Sequence, residues 1–332
     1  AARKYEDNAA KAALELVFLV GYQLSRYAEA QVWWRLAGAA AERTGHAEEY
    51  TPQLWNHWGA AQEMKGEFAA AREAYSAALA GWEARLGLDH PEAAPTLNNL
   101  AIIELRLGRS EDALAHHHRA LAIREQAYGP THPEVANSLN SLGTALLTLG
   151  RTKEARGYLE RAVAIYEGMA RPEYARAAAV QGNLAAVLLG EPDLPGAVWA
   201  YSRAATMLAA VRGPGDPSVA RARYNLGVAL QRLGEGELAG RQFAAALAIR
   251  RERLGGEHPD VALTLTALAD LERERGACER AREMLNAALV ILARAEPPVY
   301  ATHAAAEVAM GEAWRCEGDG VRKVEMHFLP DV

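Results

Sequence analysis

Apolar residues recur along this chain at helical spacing, in segments that end at glycine or proline. Leu139, Leu142 and Leu146 are three and four positions apart, so they share one face of a helix. Gly150 follows them, and glycine ends helices because it adopts a left-handed backbone at little cost. The pattern therefore predicts amphipathic helices joined by short turns.

The same pattern returns every 42 residues. Counted from an apolar marker, each copy has a small residue one position later, glycine or proline eight later, and alanine thirteen and twenty later. The markers are Trp58, Leu100, Leu142, Leu184, Leu226 and Leu268. The two alanines share a face of a second helix, and small side chains there allow two helices to pack closely. Each copy is thus predicted to be a helix pair, helix A then helix B, stacked with its neighbours as a solenoid.

Four of the predicted A helices are preceded by histidine or aspartate followed by proline. The pairs begin at His90, His132, Asp216 and His258. Proline suits the first turn of a helix because its missing N–H has no partner there, and aspartate is a good N-cap. We therefore expect these residues to start helices and not to form a catalytic set.

Composition narrows the function classes. Hydrophobic residues make up 50% of the 332 residues, and Asp plus Glu (42) outnumber Lys plus Arg (36). No basic excess indicates nucleic acid, and no apolar run is long enough to span a membrane. We expect neither nucleic-acid binding nor membrane insertion, and a cytoplasmic location. The chain begins without Met and within helical sequence, which suggests an excised part of a longer protein.

The cysteines are few. Cys278 and Cys316 are the two that the chain contains, and two isolated cysteines fit reduced core residues better than a disulfide framework.

The small residue, glycine and two alanines at set offsets, together with "HPEVANSLNSLG" and "ALAIREQAYGPTHPE", resemble the tetratricopeptide repeat of the kinesin-light-chain type. The resemblance covers roughly residues 10–316. It implies an all-α fold, a right-handed superhelical solenoid of antiparallel helix pairs whose A helices line a concave groove. The opening "LVFLVGYQLSRYAEAQVWW" also resembles the start of the repeat region that follows the catalytic domain in myxobacterial serine/threonine kinases.

The period divides the chain into units. We predict a single array over 1–332: a divergent first hairpin over 5–45, six helix pairs over 50–296, a terminal helix over 298–318 that caps the array or is simply cut there, and a tail over 319–332.

Three positions depart from the repeat. Ser25 stands where the first hairpin would have glycine. Pro172 comes three residues early and predicts an irregularity near 168–175, and Pro192 replaces glycine and predicts a stiffer turn at 190–196. We interpret these prolines as drift in one copy rather than as a hinge.

No arrangement of residues indicates catalysis or a cofactor. The phosphate-loop, Cys-x-x-Cys and kinase signatures are missing from the sequence. His116, His117 and His118 are adjacent, and adjacent helical side chains point about 100° apart, so they cannot share one metal ion. His117 falls at a helix-packing position. We therefore predict a protein that is not an enzyme and has no catalytic, cofactor or metal residues.

The exposed face of the A helices is the candidate binding surface. The predicted peptide-binding groove consists of Asn56, Asn98, Asn140, Thr144, Arg106, Tyr224, Gln231, Arg232 and Arg273. Asparagine is a poor helix former, so three in register indicate a use. Its amide can both donate to and accept from a peptide backbone, and the resemblance implies this role for the three asparagines.

Alternatives stay open for the asparagines, for the arginines and for the groove as a whole. The asparagines could instead bond neighbouring repeats or be inherited by repeat duplication. Arg106, Arg232 and Arg273 could clamp a carboxylate at the rim or be ordinary surface charge. The groove itself could be open or filled by the chain's own tail.

The predicted function is a non-catalytic scaffold that binds a peptide or partner protein, as the docking or regulatory region of a larger bacterial signalling protein. The alternative is a self-association module that makes its parent a homo-oligomer, which exposed Trp33 and Trp34 and an uncapped C-terminus would favour.

Overall fold

A computed structural model describes residues 2–169, 173–191, 193–295 and 299–316. Over these residues the chain forms α-helices and short turns, without a strand, and the predicted all-α arrangement of helix pairs is confirmed. The helices are α1 (Ala2–Phe18), α2 (Tyr27–Thr44), α3 (Ala47–Lys65), α4 (Phe68–Leu86), α5 (Ala93–Arg106), α6 (Ser110–Tyr128), α7 (Pro133–Thr148), α8 (Thr152–Glu167), α9 (Tyr174–Gly190), α10 (Leu194–Arg212), α11 (Pro217–Arg232), α12 (Gly236–Leu254), α13 (Pro259–Glu274), α14 (Cys278–Ala293) and α15 (Tyr300–Arg315). A single π-helical turn, Leu19–Gln23, follows α1.

The helices group into two compact units. Unit 1 covers Ala1–Glu173 and contains α1 to α8; unit 2 covers Tyr174–Val332 and contains α9 to α15. Odd-numbered helices are A helices and even-numbered helices are B helices. Within each unit an A helix packs on the B helix that follows it, and that B helix packs on the next A helix. That residues 1–332 form a single continuous repeat array stays a prediction.

Left-handed glycines end the A helices at the predicted positions. Gly66, Gly108, Gly150, Gly234 and Gly276 have φ between 73° and 87°. In the first hairpin Ser25 adopts φ 55°, although a side chain makes this conformation costly. The same turn geometry is therefore kept even where the favoured residue is missing.

Histidine and aspartate start the A helices as expected. The side chains of His132, Asp216 and His258 each accept a hydrogen bond from the backbone N–H two residues later, at 3.1, 2.8 and 3.1 Å. His90 accepts in the same way at 3.3 Å, but α5 begins only at Ala93. There the His-Pro pair forms a turn, closed by Ala93 N–H on the His90 carbonyl at 3.0 Å, before the helix begins.

The repeated alanines are the contact points between helices. All twelve, at positions thirteen and twenty after the markers, are buried. Opposite them on the A helices, the small residue receives a large B-helix side chain. A Cβ atom at Gly59 would lie 2.7 Å from Tyr75, and one at Gly143 or Gly227 would lie 2.6 Å from the side chain opposite.

The expectation of reduced cysteines is wrong. Cys278, the first residue of α14, and Cys316, the residue that follows α15, form a disulfide with a Cα–Cα distance of 5.9 Å. The bond holds the end of α15 against the start of α14. The two cysteines can meet because each lies at the end of an A helix or just after it, in successive copies of the repeat.

Several sequence predictions fall outside the described residues. Pro172 and Pro192 lie there, as does the tail over 319–332. Beside them, α8 ends at Glu167, α9 begins at Tyr174, and Asp193 caps α10 by accepting from Gly196 N–H at 3.0 Å.

Candidate functional site

The predicted asparagines lie half-buried on three A helices, α3, α5 and α7. Asn98 contacts the B helix of its own pair: its Oδ1 is 3.0 Å from Nδ1 of His117. Because an amide oxygen can only accept, this nitrogen of His117 carries the proton and donates. One end of the Asn98 amide is therefore held by the core.

His117 is a core residue, 1% exposed, at the packing position that the sequence predicts. Burial, together with the neighbouring His116 and His118, lowers its pKa to about 4. The imidazole is therefore neutral near pH 7. His116 is half-buried, and exposed His118 meets Tyr158 with ring centroids 6.0 Å apart, so the three histidines have three different environments.

Asn56 bonds the next A helix. Its Oδ1 accepts from Thr96 Oγ1 at 3.2 Å and from Asn99 Nδ2 at 3.3 Å. This is the bond between neighbouring repeats that the sequence left open as an alternative. It occupies the oxygen of Asn56 and leaves the amide NH₂ group, as in Asn98, without a hydrogen bond to the residues the structure describes.

The next predicted residues of unit 1 lie on α7. The backbone carbonyl of Asn140 accepts from Thr144 Oγ1 at 2.8 Å, and Thr148 repeats the contact one turn later at 3.0 Å. Thr144 is exposed, as is Arg106 on α5. Among the described residues Arg106 makes no ion pair.

In unit 2 the predicted residues are engaged with the chain itself. Tyr224 lies under the guanidinium of Arg250, 4.9 Å from its ring centroid, and burial raises the pKa of this tyrosine. Gln231 Nε2 donates to Glu274 at 2.8 Å, and Arg232 donates to the Leu189 carbonyl at 3.2 Å.

The third predicted clamp residue is also paired. Arg273 is 3.2 Å from Glu312 on α15 and 3.7 Å from Asp270 on its own helix. Arg273 and Arg232 thus fasten neighbouring elements of unit 2 together.

Unit 2 contains a cavity of about 360 Å³ bounded by α9, α10 and α11. Small buried residues, among them Ala178, Ala204 and Ala222, form its floor. Asn183 and Asn225 line it. The sequence analysis did not predict these two residues, because they lie one position before their markers. The predicted asparagines lie two positions before theirs. Counting from that neighbouring position also gives Asn99, the partner of Asn56.

Trp33 and Trp34 are not exposed, so they do not favour the self-association alternative. Both are half-buried against the core of the first hairpin. The Trp34 ring stacks on Trp58 and meets Trp55 edge-on, with centroids 5.2 Å apart in each pair. These tryptophans therefore fasten α2 to α3.

Two other properties bear on function. In the described ranges, no group of three or more His, Cys, Asp or Glu side chains is placed to hold a metal ion. No described helix combines the length and apolar character that crossing a membrane requires.

A family model described as "Tetratricopeptide repeat" matches residues 50–117, 92–168 and 218–293, which together make up more than half of the chain. No curated protein matches this chain.

Several solved structures are similar to this one. A putative kinesin light chain with nearly identical TPR-like repeats, from Podosopora anserina, is 25% identical with a TM-score of 0.56, over 62% of this chain and 97% of that chain. BtubC (BKLC) from P. vanneervenii is 17% identical with a TM-score of 0.50, over 67% and 99%. The apo form of RapI is 14% identical with a TM-score of 0.67, over 88% and 79%. The kinesin-light-chain-like type of repeat that the sequence predicts is confirmed.

Proposed function

Because this chain belongs to the tetratricopeptide repeat family, we propose that it is a non-catalytic scaffold that binds a peptide, or a segment of a partner protein, along the A helices. The candidate groove residues of unit 1 are Asn56, Asn98, Asn99, Arg106, Asn140 and Thr144. Those of unit 2 are Asn183, Tyr224, Asn225, Gln231, Arg232 and Arg273.

The observation that carries this proposal is the state of the asparagine amides. The oxygens of Asn56 and Asn98 are held by Thr96 and Asn99, and by His117. Their NH₂ groups make no hydrogen bond to the described residues. Such pre-oriented donors suit a peptide carbonyl, because little rotamer freedom is lost on binding.

The spacing of the helices supports an extended ligand. Packed helices lie about 8–10 Å apart, and an extended strand rises about 3.3 Å per residue. Asparagines on successive A helices would therefore meet roughly every third residue of the peptide. Such main-chain recognition gives affinity without demanding one sequence.

We place this scaffold in the cytoplasm, as the docking or regulatory part of a larger bacterial signalling protein such as a serine/threonine kinase. The support is the resemblance of residues 16–34 to the region after the catalytic domain in such kinases. Cytosolic reductants would oppose the Cys278–Cys316 bond there.

The test is a pull-down from bacterial lysate with wild-type protein and the Asn56/Asn98/Asn140→Ala variant. Asn286→Ala, an exposed asparagine on α14, is the matched control. We expect a partner that is retained by wild type and control and lost by the triple variant at a temperature where its circular dichroism is still native. A partner retained equally by all three would contradict the groove.

A second candidate is self-association through α15. This A helix has no described B helix after it, and Tyr300, Val308 and Trp314 are 79%, 63% and 50% exposed. Light scattering would support this candidate if wild type has twice the chain mass and Val308→Asp is monomeric. A monomeric wild type at high concentration would dismiss it.

A further inference from the structure

We propose that the cavity beside Gly182 in unit 2 receives one anionic side chain of the bound peptide, so that Gly182 decides which peptides the chain accepts. The inference rests on the proposed function, since it assumes a peptide lying along the A helices. It assigns a ligand class, a carboxylate or phosphate group, to a site that the repeat pattern does not predict.

The cavity is large enough for a side chain and its hydration. Its volume of about 360 Å³ lies within the range of ligand pockets. Residues of α9, α10 and α11, all within unit 2, line it.

Gly182 opens this space. It occupies the position held by Asn56, Asn98 and Asn140 in the preceding copies. A Cβ atom at Gly182 would meet no atom within 4 Å. An asparagine here would therefore fit without a clash and would occupy the cavity that the glycine leaves open.

The charges around the cavity favour an anion. Arg212 and Arg221 line it, and no carboxylate side chain does. The Arg221 guanidinium and the Asn225 amide make no hydrogen bond or ion pair to any residue in the part of the chain that the structure describes. Donors without an acceptor, one of them cationic, suit a carboxylate or phosphate, which accepts charge-assisted hydrogen bonds.

Asp216, two residues before the lining residue Ser218, already has partners of its own. Asp216 caps α11 by accepting from Ser218 N–H at 2.8 Å and also accepts from the hydroxyl of Ser218. These hydrogen bonds from Ser218, and to a smaller extent the charge of Arg212, lower the pKa of Asp216. It leaves the second cation, Arg221, for the ligand.

The test uses fluorescent decapeptide pools that share one fixed central residue, Glu, phosphoserine, Gln or Leu, with the flanking residues randomised. Anisotropy is measured with the full chain as wild type, Gly182→Asn, Arg221→Gln and Gly157→Asn. Gly157 is the matched control, because it is also a helical glycine whose Cβ would meet no atom within 4 Å.

We expect the Glu or phosphoserine pool to bind wild type and Gly157→Asn about tenfold more tightly than the Gln pool, the effect of one charge-assisted hydrogen bond. Both other variants should lose the difference. Whether Glu or phosphoserine is preferred distinguishes a carboxylate from a phosphate ligand.

Three results would overturn the proposal. Equal binding of all pools, or an anion preference that survives in Gly182→Asn, would show that the cavity does not select the ligand, while the groove would stand if binding still required Asn56, Asn98 and Asn140. If no pool binds wild type, the peptide groove fails and this proposal with it.

Discussion

Nδ1 of His117 donates to Oδ1 of Asn98 across 3.0 Å, so a buried side chain on a B helix orients an amide on the surface of an A helix. The equivalent B-helix positions hold tyrosine, leucine or phenylalanine, and these side chains have no ring N–H to donate. This pair links the core of one repeat to its predicted ligand contact.

Removing either partner of this pair should have different effects. Asn98→Ala leaves the buried imidazole N–H unpaired and should lower the free energy of unfolding by about 1–3 kcal/mol. His117→Leu copies Leu159 and Leu285 and should cost less, but the freed amide should bind peptide more weakly. Urea unfolding and peptide titration of both variants, with Asn286→Ala as reference, test this. Equal loss of stability in both would contradict the role of the pair.

The pH dependence of stability follows from the same histidine. Because burial lowers the pKa of His117 from 6.5 to about 4, the unfolded chain binds the proton more tightly than the folded chain does. This residue's contribution is full above pH 6.5 and is lost as the pH falls towards 4, by about 3 kcal/mol at most.

Urea unfolding of wild type and His117→Leu at pH 7 and pH 4.5 tests that prediction. Burial also lowers the pKa of His57 and His116, so both proteins will lose stability in acid, and the difference between them isolates His117. A difference that does not change with pH would rule out the assignment.

Breaking the Cys278–Cys316 disulfide should loosen α15. Removal of such a bond typically costs about 2–4 kcal/mol, and in a repeat fold the effect stays close to the site. Hydrogen exchange of residues 299–316 should therefore be faster after reduction or in Cys278→Ser/Cys316→Ser, while α9 to α12 are unchanged. Identical exchange with and without reductant would show that the bond does not hold α15.

The contact between Gly143 and Leu159 should not tolerate a methyl group. A Cβ atom there would lie 2.6 Å from Leu159 Cγ, and overpacking of a core costs about 1–3 kcal/mol. Gly157→Ala, where there is space, should instead stabilise by up to about 1 kcal/mol. Thermal or urea unfolding of both variants gives the comparison, and equal stabilisation by both would show that α7 and α8 are not close-packed there.

The helix pairs, their glycine stops and their alanine contacts could be predicted from the sequence, because each depends on residues a fixed distance apart. The disulfide could have been predicted in the same way: Cys278 and Cys316 are 38 residues apart, close to one period of 42. The number of cysteines carries no information about their positions in the repeat, and the pairing depends on those positions.

The state of the candidate site could not be predicted in this way. Asn56 and Asn98 occupy the same repeat position, yet one bonds the next A helix and the other bonds its own B helix. Which happens depends on the neighbours, Thr96 and Asn99 in one case and His117 in the other. The cavity depends likewise on the side chain that Gly182 lacks. A repeat pattern describes the residues that the copies share, so it does not predict a feature that one copy has alone.

The fit of Gly59 to Tyr75, of Gly143 to Leu159 and of Gly227 to Phe243 lies inside a single helix pair each time. A gene segment that encodes one pair therefore carries both halves of its own packing. In evolutionary terms such a segment can be copied or lost whole without the neighbours having to change their cores. The surface facing a ligand is then free to diverge from copy to copy, as Gly182 does.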